Sequence, residues 1–335
     1  MTENLFQSDQ LKESIRFGLE KIKFVHPTSV QQKIIPRLLN HESVIVQAVT
    51  GSGKTHAYLI PIMDRLTDDK TTQAVITVPS RELADQLYHV LRTLRDAAGM
   101  SIRLACLVGG SDRQRQEHKA QVTVPQIVIA TPGRLTDFVT KKIVNLEHVE
   151  FFVVDEADMT LDMGFLPQIE QVMQRLPEGV AIDAFSATIP AQLTQLLTRN
   201  AKNAEQIIID PKITLAPEIE NDLIDIGAKS RQEILYQLLT MGQPYLALVF
   251  ANTKKRVDEL TRYLQSKDLK VAKIHAGLTE RERKRVLRQV REGQFQYVVA
   301  SDFASRGLDL PNVSLVINYA LHQALTFVIH RNGRT

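Results

Sequence analysis

The chain lacks the features that would commit it to a secreted, membrane-embedded or polycationic class. It has one cysteine, Cys106, in 335 residues, so no intramolecular disulfide can form, which fits a reducing compartment. Cys106 lies in the apolar stretch 102–108 and reads as a small buried hydrophobe. No apolar run approaches the ~20 residues that span a bilayer. The polar, mixed-charge start 1–10 is unlike a secretory signal, so a cytoplasmic location is expected. Tryptophan is absent and aromatics make up 6%, too few for stacking platforms under many bases. Net charge is only +3, so any nucleic-acid contact must come from local patches. His26, His41, His56, His89 and His118 show no metal-ligand spacing and read as surface or packing histidines.

What is present is an alternation of short apolar runs with helix-patterned segments. Hydrophobic residues make up 44%, and the length exceeds the ~100–200 residues of one domain, so two domains are expected. Strands are predicted at 44–48, 74–78, 102–108, 127–130, 151–154, 181–185 and 206–209. Between two of them Leu83, Leu87, Val90, Leu91 and Leu94 recur at helical spacing. This alternation predicts an α/β fold, a mostly parallel sheet flanked by helices. Pro211 and Pro217 interrupt the pattern, which places a linker over 210–222 between units 1–209 and 223–335. The pattern then restarts, with strands near 245–250, 271–274, 297–300 and 314–317 and a helix over 254–266. Basic residues crowd 281–291, but Val286, Leu287 and Val290 mark a buried side, and the segment reads as a solvated amphipathic helix.

Two features carry chemistry. Residues 48–55 read Ala-Val-Thr-Gly-Ser-Gly-Lys-Thr after the run Val44-Ile45-Val46. A glycine-rich turn between strand and helix offers backbone N–H groups to a polyphosphate. The general pattern asks for glycine where Ala48 stands. The working parts are kept: Gly51 and Gly53 for the tight turn, Lys54 for the β/γ-phosphates, and Thr55 for Mg²⁺. The second feature is Asp155-Glu156-Ala157-Asp158, at the end of the apolar run Phe151–Val154. Asp155 could cap a following helix. At the carboxyl edge of a parallel strand, however, it would lie where ligands bind. Asp155 is assigned to Mg²⁺ through water, Glu156 to the attacking water, and Asp158 to a structural or relay contact.

On these residues the sequence resembles the DEAD-box RNA helicases of superfamily 2, bacterial in type, and further motifs follow in the family's order. Phe24, Pro27-Thr28 and Gln31 resemble the adenine-reading Q motif. Ala48–Thr55 is the family's form of the phosphate loop, with Thr50, Gly51, Ser52, Gly53, Lys54, Thr55 and His56 toward the nucleotide. Pro79-Ser80-Arg81, Gly109-Gly110 and Thr131-Pro132-Gly133-Arg134 resemble RNA-contact motifs, with Ser80 where threonine is usual. Ser186-Ala187-Thr188 resembles the coupling motif. In the second unit Val249–Thr253, His275-Ala276-Gly277 with Glu280 and Arg283, Ala300–Asp309 and His330–Thr335 resemble the remaining motifs.

The resemblance implies two tandem RecA-like domains that hydrolyse ATP with Mg²⁺ and unwind or remodel short RNA duplexes without sequence preference. It implies catalysis by Lys54, Asp155, Glu156, Arg331 and Arg334, with Gly307 and Asp309 also toward the nucleotide. Coupling falls to Asp158, Ser186, Thr188 and His330. RNA backbone contacts fall to Pro79, Arg81, Gly110, Thr131, Pro132, Gly133, Arg134, Thr253, Gly277, Ser301 and Arg306. A monomer is implied, with ribosomal or RNA-decay proteins as partners and no membrane. The chain stops at Thr335 inside its last motif, so the second domain reads as incomplete and the whole as a fragment. Two alternatives stand beside the helicase reading: an ATP-gated RNA clamp with little turnover, and a DNA helicase of the same superfamily.

Overall fold

The short apolar runs at the centre of the first unit form strands because neighbours on both sides, and helices on both faces, bury them. The computed structural model describes residues 4–110, 112–201, 204–209, 220, 222–275, 277–301, 310 and 312–320. The chain divides into two compact units, Met1–Lys212 and Ile213–Thr335. In the first, strands β1 (Val44–Gln47), β2 (Ala74–Thr77), β3 (Leu104–Leu107), β4 (Ile127–Ala130), β5 (Phe151–Asp155), β6 (Ala181–Ser186) and β7 (Glu205–Ile208) form one parallel sheet. Their order is β3-β4-β2-β5-β6-β1-β7.

Nine helices accompany this sheet among the described residues: α1 (Glu13–Lys21), α2 (Ser29–Leu39), α3 (Lys54–Arg65), α4 (Arg81–Ala97), α5 (Arg113–Val122), α6 (Pro132–Thr140), α7 (Ala157–Asp162), α8 (Leu166–Met173) and α9 (Ala191–Asn200). One core, with Ile34, Tyr58, Ile62, Leu91 and Phe185, lies on one face of the sheet. The other, with Phe138, Phe152, Ile169 and Leu197, lies on the opposite face. On α4 the predicted stripe is partly sunk: Leu87, Leu91 and Leu94 are buried, while Leu83 and Val90 are half-buried. The predicted strand 102–108 shortens to β3, an edge strand, and Cys106 is half-buried there instead of buried. Edge position removes one neighbour, which local sequence cannot reveal.

The second unit contains α10 (Arg231–Gly242), β8 (Ala247–Ala251), α11 (Lys254–Gln265), β9 (Val271–Ile274), α12 (Glu280–Arg291), β10 (Tyr297–Ser301) and β11 (Leu315–Asn318). Its strands pair in parallel in the order β11-β8-β10-β9. Val257, Leu260 and Leu264 of α11 are buried against this sheet. On α12, Val290 is buried, Val286 and Leu287 pack against the core, and Arg281, Arg285 and Arg288 are exposed. Among the described residues no helix is long and apolar enough to cross a membrane.

Candidate nucleotide and nucleic-acid site

In the first unit the predicted site residues other than Phe24, Thr28 and Gln31, which precede β1, lie at or beyond the carboxyl end of a strand, or on the helix that follows. The strand order splits that edge in two. The neighbours β5 and β1 end in residues predicted for the nucleotide, and β6 between them ends in those predicted for coupling. The neighbours β3, β4 and β2 end in those predicted for a nucleic-acid backbone.

After β1 the chain turns through Gly51 (φ +83°) and Gly53 (φ +93°), both left-handed. A Cβ on Gly53 would lie 2.6 Å from Gln31 Nε2 and 2.9 Å from Thr28 Oγ1. Glycine is therefore needed there for backbone conformation and for space. Gly53 is the N-cap of α3 and supplies no side-chain cap, so the first-turn amides of that helix have no capping side chain at Gly53. Lys54 is buried and donates to Ala48 O at 2.8 Å and Val49 O at 3.0 Å. The Thr50 hydroxyl is enclosed without a hydrogen-bond partner.

Thr28 and Gln31 form a capping box on α2. The Gln31 carboxamide is 1% exposed. Its Oε1 accepts from Thr28 N at 2.9 Å and its Nε2 donates to Gly53 O at 3.2 Å. Both ends of the amide expected to read adenine thus hold the phosphate loop to α2. Phe24 packs on His56, with ring centroids 4.3 Å apart and the planes tilted by 40°. Burial lowers the His56 imidazole below its ordinary range, which favours its neutral form.

Asp155 ends β5, two strands from β1. Its Oδ2 accepts from the Tyr58 hydroxyl at 2.7 Å and its Oδ1 from Glu156 N at 3.0 Å. Burial, then the Glu156 charge, pushes the Asp155 carboxyl up to about 6, while Lys54 pulls the other way. Tyr58 lies on the helix that Lys54 opens, so its bond to Asp155 joins the end of β5 to that helix. Glu156 sits in the left-handed region (φ +49°, ψ +52°) as N-cap of α7. Such a conformation costs a non-glycine residue roughly 1–3 kcal/mol and clusters at functional sites.

Asp158 is buried at 1% exposure and ties the segment 155–158 to the end of β6. Its amide donates to Ser186 Oγ at 3.0 Å. Its Oδ2 accepts from Thr188 N at 3.1 Å and Thr188 Oγ1 at 2.9 Å.

On the other half of the edge, Pro79 and Ser80 follow β2, and Ser80 caps α4 by accepting from Leu83 N at 3.2 Å. The exposed Arg81 guanidinium lies over Gly109 and Gly110, and a Cβ on Gly110 (φ +80°) would overlap it. Thr131 is the N-cap of α6 without a side-chain cap bond, and Pro132 opens the helix. Gly133 is exposed. Arg134 donates to Gln116 Oε1 at 3.0 Å and lies over the Phe138 ring.

In the second unit Thr253, Gly277 and Ser301 follow or end β8, β9 and β10, which are neighbours. Thr253 Oγ1 accepts from Arg256 N at 3.2 Å, capping α11. Gly277 N donates to His275 Nδ1 at 3.1 Å, beneath the stem of Lys254. His275 is buried, with Nε2 3.3 Å from Asp258 Oδ1, and Asp258 also pairs with Lys273. The Lys273 hydrogen bond holds the Asp258 carboxyl below its ordinary range. Arg306, Gly307, Asp309, His330, Arg331 and Arg334 lie outside the described residues.

Sequence reasoning missed Tyr58. The signal was its position: three and four residues after Thr55 and Lys54, it must share their helix face. Burial and the adjacent Asp155 carboxylate hold its phenol well above the ordinary range, so it stays a hydrogen-bond donor.

Residues 28–197 match the DEAD/DEAH box helicase family, and residues 230–335 match the helicase conserved C-terminal domain. The chain is 40% identical over 337 residues to the DEAD-box ATP-dependent RNA helicase CshB of Bacillus subtilis, covering 100% of this chain and 77% of that protein. It is 41% identical over 322 residues to CshB of Listeria monocytogenes, covering 96% and 74%. Its fold is similar to that of S. cerevisiae Dbp5 bound to RNA and ADP BeF3, with a TM-score of 0.81 and 27% identity over 97% of this chain and 84% of that one.

Proposed function

Since the chain belongs to the DEAD/DEAH box helicase family, we propose that it is an ATP-dependent RNA helicase whose hydrolytic site is built from the ends of β1, β5 and β6. The observation that carries this reading is the hydrogen bond from Tyr58, on the helix that Lys54 opens, to Asp155 at the end of β5. The amides of the Gly51–Lys54 turn and the start of α3 bind the phosphates. Lys54 turns from the loop carbonyls to the β/γ-phosphates. The donor set fits Mg²⁺, a hard cation that takes oxygen ligands. The Thr55 hydroxyl and, through water, the Asp155 carboxylate would hold it, and when bound it neutralises charge on the phosphate oxygens.

Glu156 orients the attacking water, and its strained backbone sets the direction of its carboxylate. Asp158 passes the state of that segment to Ser186 and Thr188, which share its carboxylate and amide. Phe24, backed by His56, offers an apolar face to the adenine, while Gln31 keeps the loop aligned beneath it. Pro79, Arg81, Gly110, Thr131, Pro132, Gly133 and Arg134 contact RNA sugar and phosphate. Thr253, Gly277 and Ser301 do the same from the second unit. Backbone contacts of this kind are independent of sequence and weaken with salt. Arg306, Gly307, Asp309, His330, Arg331 and Arg334 complete the family's set.

The test is Glu156→Gln. The variant should bind ATP as the parent does, while RNA-stimulated phosphate release falls by about 10²–10⁴-fold, the range for losing a general base. Turnover near the parental rate would remove Glu156 from the reaction. Running the parent assay with RNA and with DNA of matched length tests the nucleic acid: stimulation by DNA equal to that by RNA would contradict the RNA assignment.

A further inference from the structure

The phenol of Tyr58 reaches one of the two side chains assigned to Mg²⁺, Asp155, from the helix that carries the other, Thr55. It donates to Asp155 Oδ2 at 2.7 Å. The sequence separation from Asp155 is 97 residues, so this bond crosses from α3 to the end of β5. The ring is held in place: it is fully buried and lies 5.0 Å from the Phe185 ring on β6. A carboxylate has about four acceptor positions. On Asp155 one on Oδ2 is taken by Tyr58 and one on Oδ1 by Glu156 N. With one donor on each oxygen, the carboxylate plane cannot swing, and its remaining lone pairs keep one direction. Without the Tyr58 hydroxyl only the Glu156 amide would restrain it.

We infer that Tyr58 is a positioning residue for the hydrolysis reaction, fixing the Asp155 carboxylate to the helix that carries Thr55, in the orientation that a nucleotide-bound Mg²⁺ requires. This rests on the function proposed above. The role is indirect, since Tyr58 itself touches neither nucleotide nor metal. A phenylalanine would fill the same space and pack equally on Phe185, so the hydroxyl is the functional part.

The test compares the full chain with Tyr58→Phe by titrating Mg²⁺ against binding of a fluorescently labelled ADP. The midpoint for Mg²⁺ should rise about 10-fold, at the low end of losses seen when a group orienting a metal ligand is removed. Nucleotide binding in EDTA should be unchanged. In steady-state assays the deficit in ATP turnover should close as Mg²⁺ is raised. A purely structural tyrosine would behave otherwise: Tyr58→Phe would lower the melting temperature and leave the Mg²⁺ midpoint where it was, and that result would overturn the inference. If the parent chain itself bound the nucleotide with no dependence on Mg²⁺, the failure would lie with the proposed function.

Discussion

Both units of the chain run a buried parallel strand into a helix that begins with lysine, yet they finish the helix start in opposite ways. In the first unit β1 leads through Ala48–Gly53 to Lys54, with two left-handed glycines and no capping side chain. In the second, β8 leads through Asn252-Thr253 to Lys254, and Thr253 caps the helix with its own hydroxyl. The first turn of a helix has amides without intrahelical partners. The second unit satisfies part of that need within the chain. The first leaves it to a ligand, and phosphate is the ligand a glycine-lined helix start suits best. On the proposed function the same strand–turn–helix element takes nucleotide phosphate in the first unit, while in the second its helix start is capped by its own side chain, and the difference lies in the turn.

Replacing Gly53 with alanine should break this contrast most severely. Alanine in the left-handed region costs roughly 1–2 kcal/mol, and its Cβ would press on the Gln31 amide and the Thr28 hydroxyl. Relief requires the loop to leave Gln31, which displaces the amides meant for phosphate. Since 1.4 kcal/mol is tenfold in affinity, Gly53→Ala should weaken nucleotide binding by at least about 10-fold in a fluorescence titration. Unchanged affinity would mean that the turn's geometry does not matter to the ligand.

Much of this site was legible in the sequence because its parts are local. A strand, a glycine turn and a lysine are contiguous, and an apolar run ending in Asp155 announces a carboxylate at a strand end. What was not legible depends on residues far apart in the chain. Gln31 was expected to read adenine; that it also locks Gly53 follows only from the packing of α2 on α3. Tyr58 looks like one more apolar position until β5 brings Asp155 to it. Cys106 looks buried until β3 proves to be an edge. Asp183 attracted no notice, since a polar residue in a strand usually faces solvent, and here the sheet is covered on both sides.

The two units also differ in what their sheets enclose. The first buries the carboxylates of Asp64, Asp158 and Asp183, whereas no Asp or Glu is buried among the described residues of the second. Asp183 is the extreme case, fully enclosed on β6 with one bond, from Val44 N to Oδ1 at 3.0 Å, and with Oδ2 unpartnered. Burial raises its carboxyl to about 8. Between the unfolded value near 3.8 and 8, the folded chain holds a proton that the unfolded chain releases. Its contribution is therefore fully present below pH ~4 and is lost as pH rises toward 8, at up to about 1.4 kcal/mol per pH unit. Urea unfolding should show the first unit losing about 2 kcal/mol between pH 6 and pH 8. Asp183→Asn, which keeps an acceptor for Val44 N, should flatten that slope without touching the second unit. An equal slope in parent and variant would move the titrating group elsewhere.

The smallest effect comes from the other side of the comparison. Thr253→Ala removes the hydroxyl that caps α11 while leaving its apolar stripe of Val257, Leu260 and Leu264 in place. An N-cap threonine is worth about 1 kcal/mol. The loss should be fully felt here, because Lys254, Lys255 and Arg256 crowd positive charge at the end of the helix dipole that is already positive. The second unit should melt a few degrees earlier, Thr253→Ser should restore it, and nucleotide affinity should be the same in all three proteins. A drop in nucleotide affinity with Thr253→Ala would mean that this helix start, too, serves the nucleotide, and the division of labour between the two turns would fall.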